Sequence, residues 1–349
     1  MSKNSVNPYT LAFGKSPGQL IPRASQAEEI IYDFTSGFPS QQLYMITGVR
    51  GSGKTVFMTD ISKKIKEDES WIVVELNPEK DLLRGLLARL TSEDSLSKIF
   101  KGAKINLSFL GFGMEINGVT PIKDEEVALS RIFESLKKHN KKVLITIDEV
   151  TNTKGMQVFA SAFQIFVRQD LPVFLLMTGL YENIYELQNE KNLTFLYRAP
   201  KVELRPLNIN SIAKNYEKML DISEENALAL AKLTKGYSFA FQVLGYFAWK
   251  QSPKIDDIIN DYRLYLEEYV YEKIWDELSA KDRRLAYGIA KVKSGKISEI
   301  RELLGMDTNN FNPYRKRLMK KGLICGERGY VHFTLPLFED YVIGNYDPD

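Results

Sequence analysis

Hydrophobic and polar positions along the chain form two kinds of pattern, and the change comes near residue 205. Upstream, short apolar runs alternate with stretches of helical periodicity; the runs lie at residues 42–47, 71–76, 142–147, 172–178 and 201–204. Such runs are typical of strands buried on both faces, and helices between them join strands in parallel. Downstream, apolar residues recur mainly at helical spacing. The pattern predicts a parallel α/β sheet domain, covered by helices on both faces and followed by helical domains.

This change of pattern predicts three domains. Residues 1–205 form the α/β core, residues 206–275 a helical domain, and residues 276–349 a domain of a different kind. In the last domain, helices are expected at residues 282–292, 297–304 and 310–321, followed by a hairpin that turns at residues 326–329. Three helices and a hairpin predict a winged helix.

Composition narrows the class of protein. The chain has 349 residues, of which 44% are hydrophobic and 26% charged, with a net charge of only +2. These values are ordinary for a soluble globular protein, and any basic surface must therefore be local. A single cysteine, Cys325, excludes an intrachain disulfide framework, and two histidines argue against a zinc enzyme. No run approaches a membrane span or the apolar core of a signal peptide, so we expect a cytoplasmic protein.

The most informative motif follows the first predicted strand. Residues 48–55 read Gly-Val-Arg-Gly-Ser-Gly-Lys-Thr, which matches the phosphate-binding loop G-x-x-x-x-G-K-[ST], or Walker A motif. In such a loop, consecutive backbone N–H groups wrap a polyphosphate, Lys54 reaches the β and γ oxygens, and the Thr55 hydroxyl ligates Mg²⁺. The helix that follows aims its positive N-terminal end at the same anion. The predicted contacts with ATP are Gly48, Val49, Arg50, Gly51, Ser52, Gly53, Lys54, Thr55 and Val56.

A second motif ends the predicted strand at residues 142–147. The strand is followed directly by Asp148 and Glu149, which is the Walker B pattern. The carboxyl end of a buried parallel strand would deliver both carboxylates beside the phosphates. Asp148 is predicted to hold the Mg²⁺ shell, and Glu149 to orient or deprotonate the water that attacks the γ-phosphate. The two motifs together predict a Mg²⁺-dependent ATPase, which we expect to be slow and to depend on assembly.

These motifs, with a helical domain and a winged helix behind them, resemble the origin-recognition-like AAA+ ATPases and the related STAND ATPases. The resemblance implies a strand order of 5-1-4-3-2. Residues 20–23 resemble the motif that flanks adenine in those proteins, with Pro22 in place of a glycine, so Ile21 and Arg23 are expected near the base. Thr178 matches the sensor 1 position, which contacts the γ-phosphate or the attacking water. Arg198 lies where such proteins carry an arginine finger that reaches a neighbouring subunit, which implies self-association through the ATPase domain.

The chain departs from this resemblance in the helical domain, or lid. Some relatives carry a sensor 2 arginine in the segment that corresponds to residues 234–240, and STAND proteins carry Gly-x-Pro there. This chain has Ser238 in the place of the proline and no arginine nearby. An arginine contact from the lid to the γ-phosphate is therefore not expected.

Two further stretches carry local patterns. Residues 104–119 alternate apolar with polar or small residues around a Gly-Phe-Gly turn, which predicts a β-hairpin that either packs on the core or protrudes towards DNA or a partner subunit. Residues 25–28 read as a capping box that opens a helix ending near residue 35.

The predicted winged helix concentrates positive charge. Residues 309–328 contain six basic residues and one acidic residue. Such a concentration on a recognition helix and wing is typical of binding to duplex DNA. Not all of these side chains can face one way, so three or four are expected to meet phosphates, and asparagines near the helix start are better placed for base edges. The predicted DNA contacts are Asn310, Asn312, Arg315, Lys316, Lys320 and Arg328.

Three functions fit these observations. The first is an ATP-driven switch that binds duplex DNA through its winged helix. The second is a STAND-like signalling or defence ATPase, whose winged helix regulates nucleotide exchange and whose output is a protein partner. The third is an ATPase that assists transposition or plasmid maintenance, and it shares its chemistry with the first.

Overall fold

The computed structural model, which describes residues 6–12, 17–93, 96, 99, 103, 105–112 and 122–347, forms two compact units. The sheet unit consists of Ala24–Thr47 and Lys54–Glu203. The helical unit consists of the described parts of Met1–Arg23, Gly48–Gly53 and Leu204–Asp349. The Walker A sequence is thus divided, because its glycine-rich part belongs to the helical unit and its lysine and threonine to the sheet unit. The division of the chain into three domains stays a prediction.

The sheet unit alternates helices and strands, as the apolar runs predict. Its elements are α1 (Ala24–Thr35), β1 (Leu43–Thr47), α2 (Lys54–Lys66), β2 (Trp71–Leu76), α3 (Leu82–Thr91), α4 (Glu125–Lys138), β3 (Lys142–Ile147), α5 (Lys154–Arg168), β4 (Val173–Gly179), α6 (Tyr181–Gln188) and β5 (Lys201–Glu203). Short 3₁₀ helices occupy Ser108–Leu110 and Thr194–Arg198. Every residue of β1 and β4 is buried, as expected for strands covered on both faces.

The five strands form one parallel sheet in the order β2-β3-β4-β1-β5. Read from the other edge, this is the predicted order 5-1-4-3-2, so that prediction is confirmed. Helices α3, α4 and α5 pack with strands β1 to β4 in one apolar core, around residues such as Phe133, Phe159 and Phe166. The α/β P-loop fold predicted from the apolar runs is present.

Two local predictions in this unit are wrong. The capping box at residues 25–28 is absent because α1 already begins at Ala24, which places Ser25 inside the first turn. No strand is found among residues 105–112, where Ser108–Leu110 form a 3₁₀ helix and Ile105 and Leu107 are buried. The alternation there places both of these side chains in the core without strand pairing. The second arm of the predicted hairpin, residues 113–119, lies outside the described residues.

The helical unit contains the elements predicted to form the lid and the winged helix. The lid consists of α7 (Ile209–Leu220), α8 (Glu224–Leu233), α9 (Ser238–Lys250) and α10 (Ile255–Leu266), followed by a π-helical turn (Glu267–Tyr271) and α11 (Glu272–Asp276). Its core is aromatic: Tyr9 from the N-terminal segment packs edge-on against Tyr216 and Phe241. Gly245 is required at this contact, because a Cβ there would lie 2.6 Å from the Tyr9 ring.

The winged-helix arrangement follows in the same unit. It comprises α12 (Ala280–Lys291), α13 (Ile297–Leu304), α14 (Thr308–Lys320), the antiparallel strands β6 (Ile324–Cys325) and β7 (His332–Phe333), and a final helix α15 (Phe338–Asn345). Lys296 and Tyr330 form an additional antiparallel bridge beside the hairpin. Phe311 and Leu318 are buried on the inner face of α14. Among the described residues, no helix is long and apolar enough to cross a membrane.

Candidate functional site

Side chains from three elements of the sheet unit meet at Asp148, directly after β3. The Thr55 hydroxyl, in the first turn of α2, donates to Asp148 Oδ2 at 2.6 Å. The Thr178 hydroxyl, within β4, donates to Asp148 Oδ1 and is fully buried. Both carboxylate oxygens therefore accept a hydrogen bond from a threonine that the sequence motifs single out.

The sheet register explains this meeting. β3 and β4 pair in parallel with Ile147 opposite Met177, so that residues 148 and 178 follow side by side. β1 pairs with β4 on its other side, with Ile46 opposite Thr178. The carboxyl ends of three neighbouring strands therefore lie at one edge, which is where open α/β sheets place their ligands.

Glu149 has a backbone conformation that a glutamate seldom adopts. Its φ of 53° lies in the left-handed region, and its side chain is exposed. The Glu149 N–H donates to Thr178 Oγ1 at 3.1 Å and to Asp148 Oδ1 at 3.1 Å. Such a conformation costs about 1–3 kcal/mol and persists where the surroundings hold it. The same threonine thus orients Asp148 and fixes the backbone of the predicted catalytic glutamate.

The donor set fits a magnesium ion. A threonine hydroxyl and a carboxylate are hard oxygen ligands, and Mg²⁺ usually takes only one or two such groups from a protein. Its remaining positions are filled by water and by phosphate oxygens of a substrate. Thr55 and Asp148 supply two suitable oxygens within hydrogen-bonding distance of each other.

The glycine-rich part of the Walker A sequence lies in the helical unit. Gly51 and Gly53 have φ values of 73° and 90°, in the region that favours glycine. A Cβ on Gly51 would overlap the Tyr237 hydroxyl, so this position needs glycine for both conformation and space. Lys54 begins α2 and Val56 follows in its first turn. The first N–H groups of a helix have no acceptor within it, which suits an anion at this end.

Two Walker A residues between the glycines contact the winged helix and the segment before it. The Arg50 guanidinium forms an ion pair with Glu277 at 2.8 Å, in which both side chains are about one-third exposed (33% and 34%). A Cβ on Gly322 would lie 3.7 Å from the Val49 backbone nitrogen, so the chain after α14 passes close to the loop. If Val49 and Arg50 contact the nucleotide as predicted, we expect them to do so through their backbone N–H groups.

Ile21 and Arg23, which are expected near adenine, both belong to the helical unit. Ile21 is buried in the apolar core of the lid. The Arg23 guanidinium donates to the Ser52 carbonyl at 3.0 Å and to Ser238 Oγ at 3.1 Å. Burial lowers the Arg23 pKa to about 10, which leaves the group charged at neutral pH. Arg23 thus contacts the phosphate-binding loop itself, and a contact of either residue with adenine stays a prediction.

Arg198 is exposed at the end of the 3₁₀ helix before β5. Among the described residues, no ion pair or side-chain hydrogen bond involves it. An exposed arginine without a carboxylate partner is consistent with the predicted contact to a neighbouring subunit. Its role as an arginine finger, and self-association itself, stay predictions.

The basic residues of α14 and the wing differ in whether they have partners within the fold. Lys316, Lys320 and Arg328 are exposed, with Lys316 and Lys320 on one stripe of the helix. Arg317 instead pairs with the buried Asp282 at 2.6 Å, so its charge is balanced within the fold. Arg315 is only partly exposed, and its Nε is buried and has no hydrogen-bond partner in the part of the chain that the structure describes.

The asparagines at the start of α14 are also partly engaged within the domain, one by a hydrogen bond and the other by burial. The Asn310 amide donates to Asp307 Oδ2 at 3.2 Å, because Asp307 caps the helix. Asn312 is partly buried. Of the predicted DNA contacts, Lys316, Lys320 and Arg328 are thus presented most openly to solvent, whereas Arg315 and Asn310 have interactions within the domain.

Sequence reasoning overlooked two residues that donate hydrogen bonds to the backbone carbonyls of the phosphate-binding loop. Tyr237 donates to the Arg50 carbonyl at 2.6 Å, and Ser238 donates to the Ser52 carbonyl at 2.8 Å. The available signal was Gly236-Tyr237-Ser238 at the place where relatives carry other motifs. Nothing in the sequence relates this segment to residues nearly two hundred positions earlier.

Comparison with known proteins supports the fold. The helical unit contains residues 268–342, which match a family model described only as a domain of unknown function, DUF8462. No curated protein sequence matches the chain. Among solved structures, the Walker-type ATPase PABY2304 of Pyrococcus abyssi is similar at a TM-score of 0.63 and 15% identity, covering 93% of this chain and 96% of that one.

A second solved structure has the same arrangement. The ORC2 protein of Aeropyrum pernix, in complexes with ADPNP and ADP, matches at a TM-score of 0.57 and 15% identity, over 95% of each chain. At such identities the likeness concerns the fold alone. The chain therefore shares its fold with these Walker-type ATPase and ORC2 structures over 93–95% of its length, in agreement with the predicted P-loop fold.

Proposed function

We propose that this chain binds ATP together with Mg²⁺ and hydrolyses it at the Walker A and Walker B residues. The observation that carries the proposal is the hydrogen-bonded chain from Thr55 through Asp148 to Thr178. In it, the three residues that the motifs assign to metal and γ-phosphate meet at the ligand-binding edge of the sheet. The nucleotide-bound ORC2 structure of the same fold adds support.

The residues have distinct tasks in this proposal. Lys54 and the amides of the loop bind the phosphates, while Thr55 and Asp148 would hold Mg²⁺, which neutralises charge on the phosphate oxygens when bound. Glu149 orients a water molecule and accepts its proton as the water oxygen bonds to the γ-phosphorus. The bond from that phosphorus to the bridging oxygen breaks, and ADP and phosphate leave. Thr178 keeps Asp148 and the Glu149 backbone in place.

The metal assignment is tested by Asp148→Asn. This change keeps the shape of the side chain and an oxygen for Thr178, but it removes the negative charge. We expect ATP affinity in EDTA to stay unchanged, while the gain in affinity on adding Mg²⁺ falls about 10–100-fold, as is usual when a metal's supporting groups are lost. Calorimetric titration of ATP with and without Mg²⁺ measures both. If the variant and the unaltered protein respond equally to Mg²⁺, the metal is held elsewhere.

A second function, binding of duplex DNA through α14 and the wing, is favoured by the exposed charges there. Lys316 and Arg328 are exposed and form no ion pair within the described residues. Lys320 is exposed on the same stripe as Lys316. Three cations on one helix and an adjacent wing could neutralise about three phosphates, which supplies the sequence-independent part of DNA affinity.

The DNA proposal is tested by reversing Lys316, Lys320 and Arg328 to glutamate together. Binding to duplexes of any sequence should weaken, and the slope of log K against log salt should flatten by about 3, at roughly 0.9 per phosphate. Gel shifts over a salt series measure both. A matched control reverses Lys214, Lys218 and Lys232, which are exposed on α7 and α8, with the same change in net charge.

The control separates a local contact from a general effect of charge. If both triple variants lose the same affinity and slope, the winged helix has no specific role in DNA binding. If neither triple variant loses affinity for DNA, the winged helix does not contact DNA. A protein partner of the signalling type then becomes the leading hypothesis.

A further inference from the structure

The start of lid helix α9 is hydrogen-bonded to three consecutive carbonyls of the phosphate-binding loop. The Tyr237 hydroxyl donates to the Arg50 carbonyl at 2.6 Å. The Phe239 N–H donates to the Gly51 carbonyl at 3.1 Å. The Ser238 hydroxyl donates to the Ser52 carbonyl at 2.8 Å. Three neighbouring donors in the lid therefore match three neighbouring acceptors in the loop, all within the helical unit.

The Tyr237 side chain occupies the space beside Gly51 that a larger residue would need. This side chain is buried, and its ring packs edge-on against Phe239 at 6.4 Å between centroids. Any Cβ on Gly51 would overlap the hydroxyl. Burial raises the pKa of the Tyr237 hydroxyl further above its ordinary range, so it remains a donor at any physiological pH.

Arg23 joins this contact from the N-terminal segment. Its guanidinium donates to the Ser52 carbonyl at 3.0 Å and to the Ser238 hydroxyl at 3.1 Å, and it also donates to the Arg205 carbonyl at 3.1 Å. One charged group thus connects the loop, the start of α9 and the chain that enters the lid. A hydrogen bond from a charged donor is roughly twice as strong as a neutral one.

These contacts dictate where the loop amides point. In a planar trans peptide the C=O and N–H groups point in opposite directions. Because the lid holds the carbonyls of Arg50 and Ser52, the N–H groups of Gly51 and Gly53 are turned away from the lid. Among the described residues, neither N–H has a hydrogen-bond acceptor. The middle amide, Ser52 N–H, closes a turn onto the Val49 carbonyl at 3.1 Å.

We propose that Tyr237, Ser238 and Phe239, together with Arg23, position the phosphate-binding loop, so that its free amides face the nucleotide phosphates. Residues 237–239 lie in the segment where some similar proteins carry a lid arginine, and this chain has no arginine there. They contact the backbone carbonyls of the loop, on the side opposite to the free amides. The proposal rests on the proposed function for its ligand. It predicts a role in affinity for phosphates, and none in the bond-breaking step, because these groups bind backbone carbonyls of the loop and supply neither the metal ligands nor the general base of the proposed mechanism.

The first measurement needs no nucleotide. Amide hydrogen exchange of Ser52, whose N–H is bonded to the Val49 carbonyl, is compared between the unaltered protein, Tyr237→Phe, Ser238→Ala and the double variant. Removing each hydrogen bond should speed exchange in the loop by roughly 3- to 10-fold, the usual weight of a neutral hydrogen bond. The matched control is Tyr262→Phe, whose hydroxyl donates to the Leu233 carbonyl at 3.2 Å elsewhere in the lid. The proposal fails if loop exchange is the same in Tyr237→Phe and Tyr262→Phe.

The second measurement follows binding of a fluorescent ATP analogue and steady-state hydrolysis. Tyr237→Phe and Ser238→Ala should each raise the Kd and KM by roughly 3- to 10-fold, and the double variant by roughly the product, with kcat unchanged. Tyr262→Phe should match the unaltered protein. A loop that exchanges faster but binds the analogue with unchanged Kd would overturn the positioning role.

The two measurements separate this inference from the proposed function. If the unaltered protein does not bind the analogue, the ATPase proposal fails, and hydrogen exchange still reports whether the lid holds the loop. If the unaltered protein binds and only kcat falls in the variants, ATP binding stands, and the lid residues act on the reaction and not on the position of the loop.

Discussion

Replacing Lys54 with alanine is expected to lower the affinity for ATP by about 2–4 orders of magnitude. The ammonium group would donate to β and γ oxygens, and a hydrogen bond to a charged group contributes about 1.5–3 kcal/mol. Two such contacts account for the expected loss. Because Lys54 begins α2, where alanine is an excellent helix residue, the change should leave the fold unaltered. Calorimetry with ATP and Mg²⁺ measures the loss, and circular dichroism checks the fold.

A matched control lies on the same helix. Lys66→Ala removes an exposed lysine at the other end of α2 and should bind ATP like the unaltered protein. Should Lys54→Ala bind ATP as tightly as Lys66→Ala, residues 48–55 do not form the phosphate site. The proposed lid contacts would then hold a loop with another task.

The sheet could be predicted because its information is local. Each buried strand is a short run of apolar residues, and the Walker motifs place their functional residues within a few positions of strand ends. Asp148 and Thr178 meet because β3 and β4 are neighbours with a defined register, which follows once the strand order is known. The strand order itself came from the resemblance, since periodicity does not say which strands pair.

Local patterns failed where tertiary packing decides. The alternation at residues 104–119 predicts a hairpin, but among the described residues 105–112 the structure has a 3₁₀ helix at Ser108–Leu110, preceded by Leu107, which is buried in the core of the sheet unit. In α14, helical spacing predicts that not all basic side chains face one way, but it does not show that Arg317 pairs with Asp282, 35 positions earlier in the sequence. The hydrogen bonds from Tyr237 and Ser238 to the loop are of the same kind. No spacing rule relates residues so distant along the chain.

These failures share a physical cause with the inference about the lid. A hydroxyl that donates to a backbone carbonyl places no requirement on the sequence of its partner, apart from space. The only sign of this contact in the loop sequence is Gly51, where a side chain would overlap the Tyr237 hydroxyl. In the motif that glycine is one of the unspecified positions, so its packing role becomes visible only in the structure.

Replacing Glu149 with glutamine should leave ATP binding intact and lower the rate of hydrolysis by about 2–4 orders of magnitude. A positioned general base contributes about that factor, and glutamine keeps the size of the side chain without its basic oxygen. Steady-state and single-turnover release of phosphate measure the loss. The control is Glu134→Gln, an exposed glutamate on α4, which should hydrolyse ATP at the rate of the unaltered protein. Undiminished turnover in Glu149→Gln would place the base at another residue.

The unusual backbone of Glu149 allows a sharper version of this experiment. With φ at 53°, a residue with a side chain is strained by about 1–2 kcal/mol, and glycine relieves that strain at a cost of about 0.5–1 kcal/mol in the unfolded chain. The free energy of unfolding of Glu149→Gly, measured by urea denaturation, should therefore exceed that of Glu149→Gln by roughly 0.5–1 kcal/mol. Both variants should hydrolyse ATP equally slowly. Stability gained at the expense of activity would identify the strain as a feature kept for the reaction. If Glu149→Gly is instead the less stable of the two, the left-handed backbone is not strained, and only the carboxylate matters.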